Sequence, residues 1–182
     1  MALALLTDLR TALTNLLANP SLTLPLTQRA KFEGWLKVEL GSELADLGHD
    51  VTLEAPVPGT RARADLAVAG NTDALIMLKT VNTNYRFPEV WNRTRPITKN
   101  VAGIAEDVVK LQLRSDGQLG LAMAVVFPLS PDHREPFETY LQRVVSAGAS
   151  LIDEGHVHPA IARSTWTASW FLFNVPALPL PD

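Results

Sequence analysis

Asp65 and Lys79 stand on neighbouring strand-like runs, ARADLAV and ALIMLKTV, joined by the short turn signal GNTD. Strand alternation puts Arg61, Arg63 and Asp65 on one side of the first run, and Leu75, Met77 and Lys79 on one side of the second. The acid and the lysine can therefore share a sheet face. A carboxylate there can hold a hard divalent cation, and a nearby ammonium can stabilise charge developing on a phosphate or position an attacking water.

The elements that must hold these groups follow from the apolar spacing. Leu3, Leu5, Leu6, Leu9, Leu13, Leu16 and Leu17 recur at helical intervals until Asn19-Pro20, which predicts a first helix over 2–18. Thr27 reads as the N-cap of a second helix, with Phe32, Leu36, Leu40, Leu44 and Leu47 as its stripe and Gly48 as its stop. Strand signals at 51–57, 61–68 and 74–81, closely spaced, predict an antiparallel meander. Val101, Ile104, Val108, Leu111 and Gln112 place a helix over 100–113, and the apolar run 119–127 reads as a buried strand. A helix over 131–147 and a strand over 165–175 complete the pattern, before a polyproline-like tail at 176–182. One α/β domain is the expectation from 182 residues with 47% apolar content, its core spanning 27–127.

In element order and in these two side chains, residues 27–127 resemble the PD-(D/E)XK nuclease superfamily. The resemblance implies a restriction-endonuclease-like core of helix, three-strand meander, helix and strand, with an extra N-terminal helix and a C-terminal helix and strand. It implies magnesium-dependent cleavage of DNA or RNA, with Asp65 as a metal ligand and Lys79 assisting the attacking water. An acid on the helix before the meander completes such sites, and among Glu33, Glu39 and Glu43 the expectation falls on Glu39, beside the Leu36 and Leu40 stripe, with Glu33 second. The metal ligands are thus expected to be Asp65 and Glu39. Lys110 and Gln112 are the polar candidates on the following helix.

The pattern is broken at Met77, where the family carries Glu or Asp. A thioether is a poor magnesium ligand, so the expected catalytic set of Glu39, Asp65, Met77 and Lys79 is an impaired one. Three readings stay open: the acid has migrated, with Glu39 and Glu106 or Asp107 as stand-ins; the chain is a natural inactive relative; or position 77 was substituted to disable it.

Composition sets the remaining bounds. The absence of cysteine excludes disulfides and thiolate chemistry, and with no bilayer-length apolar run it suggests a cytoplasmic protein without membrane contact. A net charge of −3 excludes a general nucleic-acid coat, yet residues 83–100 carry Arg86, Arg93, Arg95 and Lys99 against Glu89 alone, a local net of +3. With Tyr85 and Trp91 among these cations, and Arg61 and Arg63 nearby, the segment is the expected nucleic-acid edge, DNA first. The competing readings are a non-catalytic module that binds nucleic acid or a protein through the same face, and a structural subunit forming a homodimer through its leucine-rich first helix. His156-X-His158 would suit a metal if extended, but no third ligand is evident beside it, and His49 reads as a helix-end residue.

Overall fold

The computed structural model describes residues 2–70, 72–91, 96–114, 117–161 and 164–178. Within them the chain is an α/β fold of five helices and a six-stranded mixed sheet. Helices α1 (Ala2–Leu17), α2 (Thr23–Thr27) and α3 (Glu33–Asp46) precede strands β1 (Asp50–Pro56), β2 (Arg63–Ala69) and β3 (Ala74–Asn82). Helix α4 (Ile97–Gln112) leads to β4 (Leu119–Leu129), then α5 (Arg134–Ser146), β5 (Ser150–Val157) and β6 (Thr167–Val175).

The strand order is β1-β2-β3-β4-β6-β5. β1, β2 and β3 form the expected antiparallel meander, and α4 carries the chain across to β4, which pairs parallel with β3. Helices cover both faces of the sheet centre, which explains why β3, β4 and β6 read as nearly continuous apolar runs. One core gathers α1, α2 and α3 over Leu66, Ile76, Leu78, Leu121 and Met123. The other packs α4 and α5 over Leu75, Met77, Val81, Ala122 and Phe171. Within β3, Lys79 is the one residue that escapes full burial.

Two expectations about the elements need correction. Thr27 does not cap the helix that carries the acids: it closes the five-residue α2, its hydroxyl donating to the carbonyls of Thr23 and Leu24, and α3 begins six residues later at Glu33. The C-terminal part holds a strand, β5, that apolar spacing does not reveal. SLIDEGHV is a sheet edge with exposed and half-exposed positions throughout, so it lacks an apolar face to signal it.

α3 approaches the sheet closely at Gly41. A Cβ there would meet Leu53 Cδ2 at 2.9 Å and Leu66 Cδ2 at 3.2 Å, so a larger residue would push these leucine side chains aside. That approach brings the first turn of α3 within side-chain reach of β3.

Candidate active site

β2 and β3 pair only through Leu66–Ile76, Ala67–Leu75 and Val68–Ala74. Past Ile76, β3 continues to Asn82 with β4 as its ladder partner, so the N–H groups on its other edge must find acceptors elsewhere. Carboxylates supply them. Asp65 Oδ2 accepts from Leu78 N–H at 2.7 Å, and Glu33 Oε2 accepts from Thr80 N–H at 2.9 Å. The backbone of the strand that carries Lys79 thereby fixes two acids beside it, one from β2 and one from α3.

A third acid comes from the other side of the sheet. Asp107 lies on the buried stripe of α4, with its side chain only 3% exposed, and its Oδ2 is 3.1 Å from Lys79 Nζ. Lys79 Nζ is also 3.5 Å from Glu33 Oε1, so the ammonium bridges α3 and α4. Asp107 Oδ1 accepts from Lys110 Nζ at 2.6 Å, whereas the buried Oδ2 meets Lys79 outside hydrogen-bond geometry and accepts no hydrogen bond. Lys37, one turn after Glu33, places Nζ 3.7 Å from Asp65 Oδ1 and pairs with Glu54 of β1.

These contacts displace the ionisation of the two central groups. Burial pushes the Asp65 carboxyl above the usual carboxylate range, only partly offset by the Leu78 N–H and by the ammoniums of Lys79 and Lys37. For Lys79, burial acts downward, but Asp107 and then Glu33 outweigh it and hold the ammonium above its ordinary value. Lys79 is thus a permanent cation at neutral pH.

The sequence-chosen residues fall into three groups. Asp65 and Lys79 occupy one site, with Glu33 and Asp107 supplying the carboxylates that reach Lys79; Glu39 lies half-buried six residues further along α3, about 9 Å at the helical rise. Met77 is 4% exposed and packs into the α4-side core. Of the basic edge, Arg61, Arg63, Arg86 and Lys99 are exposed, and Trp91 is 54% exposed with its backbone N–H bonded to Thr27 O. Tyr85 is half-buried, its ring stacked on His133 at 4.0 Å between centroids. Arg93 and Arg95 lie outside the described residues.

Arg29 was missed by sequence reasoning. It is fully buried, and its guanidinium donates to the carbonyls of Thr83 and Tyr85, fastening the segment that leaves β3 to the connection before α3. A single Arg between two short helical pieces gives no periodic signal of such a role. Asp107 did leave a trace, because it stands three residues after Ile104 and four before Leu111, inside an apolar stripe where a carboxylate needs a partner.

No family model matches the chain, and no curated protein or solved structure matches it either.

Proposed function

We propose that the chain is a magnesium-dependent nuclease of the PD-(D/E)XK type, acting on DNA or RNA phosphodiesters, in which Asp107 takes the part of the acid that Met77 lacks. The observation that carries this reading is the meeting of Glu33 and Asp107 on Lys79, with Asp65 fixed on the adjacent Leu78 N–H, where β2 leaves β3. An acid anchored to the β3 backbone, a lysine on that strand and an acid on the preceding helix are the parts the superfamily's chemistry needs, and the restriction-endonuclease-like core is the arrangement proposed for residues 27–127.

The oxygen chemistry suits the ion, although among the described residues no three Asp, Glu, His or Cys side chains are grouped closely enough to hold a metal by themselves. Magnesium takes hard oxygen ligands, and Asp65 and Glu33 offer carboxylates held by backbone N–H groups, while the buried Asp107 Oδ2 faces Lys79 Nζ at 3.1 Å and would have to share itself with the ion. The Met77 sulfur does not suit it. When bound, the ion would polarise the phosphate and lower the pKa of a water. The protein's own residues do the rest. The two β3 N–H groups orient Asp65 and Glu33, Asp107 and Glu33 keep Lys79 protonated, and Lys79 directs positive charge toward a phosphate oxygen or a water at the site mouth. Exposed Arg86 and Trp91 on the segment between β3 and α4, with exposed Lys99 in the first turn of α4, serve the nucleic-acid strand.

A second reading rests on Met77 itself, whose burial among Leu75 and Val81 favours a module that binds nucleic acid without cutting it. Incubation with single- and double-stranded DNA and RNA in Mg²⁺ or Mn²⁺ separates the two. Cleavage that EDTA stops, and that Asp65→Asn and Lys79→Met each remove, supports the nuclease. Salt-sensitive binding without cleavage supports the second reading, and neither activity refutes both.

A further inference from the structure

Lys37 and Glu54 form a pair that neither the proposed chemistry nor the fold requires. Glu54 sits inside β1 at φ +52°, a left-handed conformation, although Leu53 and Ala55 on either side keep regular pairing with Leu66 and Ala64. A side chain with a Cβ is strained there, and such strain persists only where the surroundings hold it. The flanking β1–β2 pairs hold the backbone of Glu54, and its half-exposed carboxylate binds Lys37 Nζ. The same ammonium is 3.7 Å from Asp65 Oδ1.

Glu33, Glu54, Asp65 and Asp107 face Lys37, Lys79 and Lys110, and Arg63 also acts on Glu54, so four carboxylates meet four cations. Lys79 is committed to Asp107 and Glu33 from within the sheet, and Lys110 to Asp107. Lys37 approaches from α3 on a flexible stem and shares itself between Asp65 and a second carboxylate at the surface. It is the ammonium that can leave Asp65 without losing every partner.

We infer that Lys37 is a built-in counter-cation of Asp65 that a divalent ion must displace, and that Glu54, which already binds this ammonium, retains it when it leaves Asp65 and so tunes the metal affinity of the site. This inference rests on the metal site proposed above. The two residues are positioning residues, acting through Asp65, and removing them has opposite effects. Lys37→Met deletes the competitor, whereas Glu54→Gln removes the alternative partner and leaves Lys37 on Asp65.

The test is calorimetric titration of the full chain with Mn²⁺ alone, without nucleic acid. Lys37→Met should bind at least about fivefold more tightly than wild type, the weight of one charge pair near 4 Å in high dielectric. Glu54→Gln should bind more weakly, the double variant should follow Lys37→Met, and Lys37→Arg, which keeps the charge, should stay near wild type. Far-UV circular dichroism confirms that each variant is folded. Unchanged or weaker Mn²⁺ binding in folded Lys37→Met overturns the inference while the metal site stands. Should neither wild type nor Lys37→Met bind Mn²⁺ at millimolar concentrations, the metal site and the inference fall together.

Discussion

Replacing Asp107 by Asn should cost stability as well as cleavage, and the structure sets the size of that cost. At 3.1 Å, one charge pair in an effective dielectric of 20 amounts to about 5 kcal/mol of gross attraction. Several effects reduce it. The Lys79 side chain is 32% exposed and keeps Glu33 at 3.5 Å, the Lys110 end is 45% exposed and adds little, and Asn avoids the desolvation cost of a buried carboxylate. A loss of about 1.5 to 3 kcal/mol remains. Lys79 is raised in the folded state, so the contribution of its ammonium is fully present below the unfolded lysine pKa and is lost only as pH rises through the higher folded value. The deficit of Asp107→Asn should therefore be constant from neutral to mildly alkaline pH. Urea unfolding at two pH values in that window measures it. A deficit below about 0.5 kcal/mol, in the range of ordinary surface substitutions, would mean that Asp107 does not hold Lys79.

Three further outcomes follow from the same geometry. Asp65→Asn should raise Tm while removing cleavage: burial lifts the folded carboxyl's pKa above its unfolded value, so the ionised acid costs stability at neutral pH, a cost that fades as pH falls through the folded pKa and that Asn avoids while still accepting from Leu78 N–H; a Tm below wild type at pH 7 contradicts this. Arg29→Met should destabilise by about 2 to 4 kcal/mol, because it strips donors from the Thr83 and Tyr85 carbonyls, and hydrogen exchange should speed first in the segment after β3. Trp91→Ala should weaken single-strand binding by about 1 to 3 kcal/mol without altering its salt dependence, while Arg86→Ala and Lys99→Ala should each lower the log-log salt slope by roughly 0.7 to 0.9 in anisotropy titrations.

What was legible in the sequence was what a period reveals. The alternation around Asp65 and Lys79 brought them to one site, and the stripe through Val101, Ile104, Val108 and Leu111 gave α4 within three residues at its start. The choice between Glu33 and Glu39 turned on where α3 begins. Thr27 carries the side chain of an N-cap but spends it on α2, so Glu33 falls in the first turn of α3, next to the exposed edge of β3, and Glu39 falls two turns down. Where β2 parts from β3 is a property of pairing, which single-strand patterns do not encode, and that parting is what leaves N–H groups for Asp65 and Glu33. The edge strand β5 and the buried Arg29 were hidden for a related reason: each is defined by what lies beside it in space.

The central claim is that a carboxylate at 107 does the work of the one absent at 77, and moving that carboxylate tests it most directly. Metal-dependent cleavage of a labelled oligonucleotide, measured for wild type, Asp107→Asn and the double variant Asp107→Asn with Met77→Glu, is the measurement. The account predicts cleavage by wild type, its loss in Asp107→Asn and its return in the double variant, at some cost in stability for placing Glu at a buried position. Wild-type cleavage that survives Asp107→Asn undiminished would contradict it.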